Sequence, residues 1–179
     1  MAERRPGEGR YAHIEREQRW VATGIPPDAR RRSEFHDRYI HGTRLRLRRV
    51  TMDDDVHFKL GQKVRVSEAD PELVRLTNIY LSADEYEVLT LLPGSVLHKT
   101  RWVTSWAGID VAVDQFHGHL SGLVLAEAEL APDAELLDLP DLAVRDVTHD
   151  ERFSGGALAA VAGADLAALM TEVAHQRSL

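Results

Sequence analysis

Apolar and charged residues alternate one by one along much of this chain. HIEREQRWV, residues 13–21, places Glu15, Glu17 and Arg19 at every second position, with Ile14 and Trp20 among the residues between. Successive side chains of a strand point to opposite faces, so this period predicts a strand carrying two carboxylates and a guanidinium on one face. The pattern returns in DRYIHGTRLRLRRV, where Arg44, Arg46 and Arg48 alternate with Leu45 and Leu47. In VHFKLGQKVRV, Lys59 sits between Phe58 and Leu60, and Lys63 and Arg65 alternate with Val64 and Val66. ELVRLTNIYL, VLHKTRWV, GIDVAVDQF, GLVLAEAEL and a shorter LAVRDVTHD complete about eight predicted strands, each bounded by Gly, Pro or polar clusters.

Two segments switch to helical spacing. Ser82 is an expected N-cap with Glu85 completing a capping box, Tyr86, Leu89 and Leu92 follow, and Pro93-Gly94 ends the helix. Leu166, Leu169, Met170 and Val173 mark an amphipathic C-terminal helix over residues 163–177, placed either over the barrel or in one of its mouths. Short loops between strands favour antiparallel pairing, and closing the sheet removes its edges. The expected fold class is α+β, mainly β: a closed eight-stranded antiparallel β-barrel with a few flanking helices. Gly24, Pro26 and Pro27 break the chain after the first strand, and Arg30, Arg31 and Arg32 read as solvated surface. A single domain over residues 11–179 follows a flexible tail, residues 1–10.

Composition narrows the function classes. The 179 residues hold 29 Asp and Glu against 22 Lys and Arg, a formal charge of −7, which disfavours a protein that coats a nucleic acid polymer. The absence of cysteine excludes disulfides and thiolate metal sites. No apolar run resembles a secretory signal or approaches the roughly 18 residues of a membrane span, so the expectation is a cytoplasmic protein without a membrane partner.

The charges are also sorted by sign. Arg44, Arg46, Lys59, Lys99 and Arg101 form basic clusters, while Glu15, Glu17, Asp114, Glu127 and Glu129 form acidic ones; Val111, Val113, Val124 and Ala126 occupy the other faces of their strands. Any one of these strands alone reads as an ordinary amphipathic strand, but ordinary surfaces mix signs more evenly. Turned into a wide barrel, the charged faces make a cavity with a cationic and an anionic side. Converging carboxylates repel unless a cation or basic groups compensate them, and Mg²⁺ or Mn²⁺ has the right preference for oxygen donors. Arg and Lys opposite them suit phosphate oxygens. A polyphosphate or nucleoside polyphosphate satisfies both sides. His117 and His119 in FHGHL are a weak zinc candidate because Gly118 between them implies a turn, and His13, His36 and His41 read as ordinary polar residues.

The ordered motifs resemble the CYTH family of triphosphate tunnel metalloenzymes, as a single-domain member of bacterial type. The carriers are Glu15-Arg16-Glu17-Gln18-Arg19 against the family's E-x-E-x-K, Tyr39 and the R-x-R of TRLRLRR, Lys59 in HFKLG, K-x-R in HKTRW, and AVDQFHGHLSGLVLAEAEL with Asp114 and the closing E-x-E. DVTHDERFSGGALA is similar to its last strand and following turn, so the resemblance spans residues 11–162. It implies an eight-stranded triphosphate tunnel in which Glu15, Glu17, Asp114, Glu127 and Glu129 serve a divalent metal. Arg19, Arg44, Arg46, Lys59, Lys99 and Arg101 would hold phosphate, with Glu15, Glu17 and Arg19 catalytic. The sequence departs from the family at Arg19, which replaces Lys; at RLTNIYL, where Thr77 and Ile79 stand in place of glutamates; and at Gly155 and Gly156, where relatives often carry Asn. The expected activity is metal-dependent hydrolysis of inorganic triphosphate. The alternatives are a hydrolase or cyclase acting on thiamine triphosphate or ATP, or a binding module without turnover; a homodimer is left open. Trp20, Trp102 and Trp106 are expected to pack on the outer face.

Overall fold

The computed structural model describes residues 12–67, 70, 72–138 and 141–176, so the tail expected at residues 1–10 and the last residue of the expected C-terminal helix lie outside it. Nine strands and three helices follow in order: β1 (Ala12–Ala22), β2 (Arg31–Ile40), β3 (Leu45–Met52), β4 (Asp55–Arg65), β5 (Leu73–Leu81), α1 (Ala83–Thr90), β6 (Gly94–Trp106), β7 (Ile109–Phe116), β8 (Val124–Leu130), β9 (Ala143–Asp146), α2 (Gly155–Ala160) and α3 (Gly163–Gln176).

Eight strands close into an antiparallel barrel in the order β5-β4-β3-β2-β6-β7-β8-β1. Closure falls to β1, whose Ala12–Arg16 half pairs with β5 while Arg16–Val21 pairs with β8. The short β9 adds to β1 at Trp20–Ala22 and stands outside the ring. The sequence count of eight is therefore composed differently from the observed ring. DRYIHGTRLRLRRV is not one strand: it spans the end of β2, a turn at residues 41–44 and most of β3. Gly42, at φ 72, supplies the left-handed residue that this turn needs. Arg31 and Arg32 open β2.

The capping box at α1 forms as expected, with Ser82 Oγ accepting from the Glu85 N–H at 3.2 Å and Glu85 Oε2 accepting from the Ser82 N–H at 2.7 Å. No residue of α1 is buried, so this helix decorates the barrel rather than filling it.

Two apolar clusters frame the barrel. Trp20, Val111, Val113, Ala126 and Ala128 are fully buried on its outer face, beneath Ile25, Ala134, Leu137 and Leu142. The cover there comes from the loop after β8, with Ile25 of the loop after β1. Gln18 clamps that loop, donating from Nε2 to the Leu137 carbonyl at 2.9 Å and accepting the Leu137 N–H at 2.8 Å. Trp102 and Trp106 pack against the same cluster, as expected for outer-face residues. The second cluster joins inward-facing Leu97, Phe116 and Leu125 to Phe153 and Leu158, with Leu169 and Val173 of α3 behind them. Full burial of each such side chain stabilises by about 1.5–3 kcal/mol, which fixes α2 as an apolar floor to the barrel with α3 backing it. No helix among the described residues is long and apolar enough to cross a membrane.

Candidate functional site

The barrel encloses a cavity of about 860 Å³. All eleven site residues expected from the sequence line it: Glu15, Glu17 and Arg19 from β1, Arg44 from the turn before β3, Arg46 from β3, Lys59 from β4, Lys99 and Arg101 from β6, Asp114 from β7, and Glu127 and Glu129 from β8. Register explains the convergence. Glu17 lies directly across from Glu129 and Arg19 from Glu127, while Arg101 lies across from Asp114.

The acids divide into two sets. Asp114 is almost fully buried and accepts a bidentate pair from Arg101, Nε to Oδ1 and Nη2 to Oδ2 at 2.7 Å each, with Lys99 Nζ at 2.5 Å. Glu127 accepts from Arg19 Nη2 at 2.7 Å and Arg101 Nη2 at 3.0 Å. Burial by itself would raise both carboxyls, but the guanidiniums outweigh it and hold them below the usual range. Glu15 behaves in the opposite way. Burial, followed by the nearby Glu129 charge and with Glu17 and Glu127 adding to it, pushes its carboxyl up to about 7 despite Lys63. Neither Glu15 nor Glu129 has an ion pair to another described residue, whereas Glu17 pairs with Lys63.

Like charges directly opposite on adjacent strands destabilise a sheet unless something compensates them. Glu15, Glu17 and Glu129 are thus an oxygen donor set with excess negative charge, and they fit a hard divalent cation. A consequence is testable without substrate. Because the folded state raises the Glu15 carboxyl from 4.5 to about 7, it binds more protons than the unfolded chain across that window, so this group's contribution to stability falls as pH rises through it. In chelator, Glu15→Gln is expected to flatten the fall in melting temperature between pH 5 and 8, read by thermal unfolding at stepped pH.

On the basic side, Lys99 is buried and brought down to about 8, with Arg101 and Arg48 adding to the effect of burial and Asp114 opposing it. Arg46 is held by a hydrogen bond with Tyr39, while its Nε is buried without a partner among the described residues. Lys63, Arg48 and Arg65 also line the cavity, although they were absent from the expected site. Their signal was the alternation itself, since Lys63 and Arg65 share parity with Lys59, and Arg48 with Arg44 and Arg46. Asp37 was missed as well. It is buried one strand away and grips Arg48 through two 2.6 Å bonds; burial would raise its carboxyl, but Arg48, Arg46 and Lys99 hold it well below the carboxylate range.

One expectation is corrected, and one weak candidate is set aside as the sequence implied. On β5 the residues facing the cavity are Val74, Leu76 and Asn78, because Val74 lies directly across from Glu15; Ile79 is solvent-exposed and Thr77 has the same outward parity. The acid-poor wall is real, but it is made by the other face of the strand. His117 and His119 do not converge: His117 Nε2 meets Thr100 Oγ1 at 2.8 Å, and His119 Nε2 meets the Leu158 carbonyl at 3.2 Å.

The first glycine of α2, Gly155, has a packing reason. A Cβ on Gly155 would overlap the Tyr39 hydroxyl oxygen, so the ring fills the space that a side chain would need. Gly155→Ala is expected to lower stability by about 1–3 kcal/mol through overpacking and to loosen Arg46 by displacing Tyr39. A lower melting temperature together with a higher KM for the anion checks this.

No family model matches the chain. A stretch of 58 residues is 38% identical to an inorganic triphosphatase of Acetivibrio thermocellus, a match that spans 32% of this chain and 37% of that relative's length. The crystal structure of the inorganic triphosphatase NE1496 superposes with a TM-score of 0.57 at 24% identity, covering 83% of this chain and 97% of that one. A conserved hypothetical protein from Pyrococcus furiosus superposes with a TM-score of 0.50 at 18% identity, covering 67% of this chain and 80% of that one. The chain resembles the CYTH family in the order of its motifs and shares the closed barrel fold of these solved structures.

Proposed function

We propose that this protein is a metal-dependent phosphohydrolase that cleaves inorganic triphosphate inside the barrel. The carrying observation is one cavity of about 860 Å³ with an acid-rich side at Glu15, Glu17 and Glu129 and a basic side at Arg44, Arg46, Lys59, Lys99 and Arg101. The partial match to an inorganic triphosphatase supports the substrate class. A linear anion with charge along its length can meet the basic side directly and the acid-rich side through the cation held there, whereas a single phosphate reaches only one of them.

Each residue has a role in this reading. Arg44, Arg46, Lys59, Lys99 and Arg101 bind and orient the phosphate oxygens, with paired N–H groups of Arg giving direction as well as charge. Arg19 stays protonated throughout, so its part is to hold charge at the boundary between the two sides. Glu15, Glu17 and Glu129 would hold the cation. Asp114 and Glu127, whose oxygens already accept from Lys99, Arg101 and Arg19, fix those basic side chains in place. Mg²⁺ or Mn²⁺, when bound, supplies Lewis-acid charge toward the phosphate oxygens. The carboxylate side orients the attacking water while the apolar floor at Phe153 and Leu158 limits the entry of bulk solvent.

Arg44→Ala separates binding from folding, since Arg44 is exposed and has no ion pair among the described residues. Losing one charge-assisted contact costs about 1.5–3 kcal/mol, which is roughly 10- to 150-fold in KM. The melting temperature should not move. Unchanged anion affinity in both Arg44→Ala and Arg46→Ala would instead make the basic side a structural feature.

One observation favours a second reading, an organic triphosphate. Tyr80 lies directly across from Lys59 with its ring 4.9 Å from Nζ, and it is 70% exposed. An aromatic face at the edge of the basic side offers a stacking surface to a nucleobase or thiazole. Under this reading Tyr80→Ala weakens organic triphosphates only.

A further inference from the structure

A separate polar cluster lies on the outer surface of the barrel. On β2 and β6 the cavity takes the odd positions, Phe35, Tyr39, Lys99 and Arg101 among them, which leaves the even positions facing outward. There Glu34 and His36 stand two residues apart on one face of β2, and His98 of β6 lies directly across from His36. The candidate donor atoms of Glu34, His36 and His98 all lie within 4.8 Å of one another. The His36 and His98 rings stack with centroids 4.1 Å apart and planes 16° from parallel.

The cluster is braced from behind. His117 packs 4.6 Å from His98, and its own Nε2 is engaged by Thr100 Oγ1 at 2.8 Å, so it supports the site without joining it. His98 carries an independent sign of a missing ligand: its Nε2 is buried with no hydrogen-bond partner among the described residues. Leaving such an atom unpaired is costly, and folded proteins rarely do so without a reason. Burial and the neighbouring His36 and His117 imidazoles also bring His98 below its ordinary pKa, against the opposing charge of Glu34.

We propose that Glu34, His36 and His98 bind a divalent transition metal of the Zn²⁺ class on the outer wall of the barrel. Two imidazoles and one carboxylate match Zn²⁺, and this chemistry contrasts with the all-oxygen set inside the cavity, which suits Mg²⁺ or Mn²⁺. Zn–N bonds of about 2.0–2.1 Å require donor atoms roughly 3.3 Å apart, and His36, exposed to solvent, has room to rotate toward His98. Three protein donors leave a fourth position for water. The bound ion cross-links β2 to β6 near the middle of their ten-residue ladder, so its effect is on stability rather than on the chemistry of the cavity.

The test uses the full chain stripped with chelator and then held in excess Mg²⁺, which occupies the all-oxygen site. Co²⁺ serves as the spectroscopic probe and Zn²⁺ as the calorimetric titrant. Expected are one equivalent of Co²⁺ with visible bands of a nitrogen-ligated ion, displacement of that Co²⁺ by Zn²⁺, and a rise in melting temperature on Zn²⁺ addition. His36→Gln, at an exposed position, should weaken binding at least tenfold and remove the thermal shift, while Glu17→Gln should leave both unchanged. Wild-type affinity in both His36→Gln and His98→Gln, or no Zn²⁺ binding in excess Mg²⁺, would overturn the assignment. Loss of binding in Glu17→Gln with retention in His36→Gln would place the ion in the cavity and overturn it equally.

Discussion

Glu17→Gln is expected to lower phosphate release from tripolyphosphate by about 10²–10³-fold while leaving the fold intact. Glu17 faces Glu129 across β1 and β8 and is paired with Lys63. The substitution removes one anionic donor for the cation, whose charge stabilisation of the transition state is worth several kcal/mol, and each 1.36 kcal/mol is tenfold in rate. It also removes one half of a like-charge pair, which offsets the loss of the Lys63 contact, so the melting temperature should change little. Glu127→Gln provides the contrast. Its carboxylate is the shared partner of Arg19 and Arg101, and losing it leaves two partly buried guanidiniums short of a counter-charge. That variant should lose both activity and stability. Parallel phosphate-release and thermal-unfolding measurements separate the cases, and equal unfolding of both would show that the two acids share a purely structural role.

The second large effect is at Arg101. Its guanidinium contacts Asp114 through two bonds and Glu127 through a third, and its side chain is 23% exposed. Arg101→Ala leaves a buried carboxylate at Asp114 with only Lys99 beside it. Breaking one side of a buried ion pair costs roughly 3–5 kcal/mol, more than replacing both partners together. Arg101→Ala is therefore expected to show a markedly lower urea midpoint, and Arg101→Ala with Asp114→Ala should recover part of it. A coupling energy near zero in that cycle would mean that the Arg101–Asp114 pair contributes nothing to the fold. Arg101→Lys should not restore the wild-type midpoint, because a single ammonium cannot reproduce the two-point grip on Asp114.

The sequence carries the cavity more clearly than it carries the barrel. Glu15, Glu17 and Arg19 share one face because alternation is a local property, and the same holds for Lys99 with Arg101 and for Glu127 with Glu129. Once the sheet closes, these faces have no direction to point except inward or outward, and the sorting of charge selected inward. What escaped were properties set by pairing rather than by period. Residues 37–50 read as one segment on the alternation of Arg44, Arg46 and Arg48 with Leu45 and Leu47, and the turn at Gly42 divides them into β2 and β3. On β5 neither face carries an acid and the one charge, Arg75, shares the parity of Thr77 and Ile79, so the sorting of charge did not mark Val74, Leu76 and Asn78 as inward; the register with Glu15 does. Asp37 is a lone acid in a basic neighbourhood along the chain, and its bond to Arg48 exists only after the hairpin forms. The contact between Tyr39 and Gly155 joins residues more than a hundred positions apart, and nothing in either segment announces it.

The most direct test of the hydrolase assignment is phosphate release from tripolyphosphate, ATP and thiamine triphosphate, each with Mg²⁺, with Mn²⁺ and with chelator. The predicted result is release that needs a divalent metal and is fastest with tripolyphosphate. Failure to release phosphate from any of the three with either metal, in protein that binds tripolyphosphate tightly, would contradict the hydrolase assignment and make the barrel a polyphosphate-binding module.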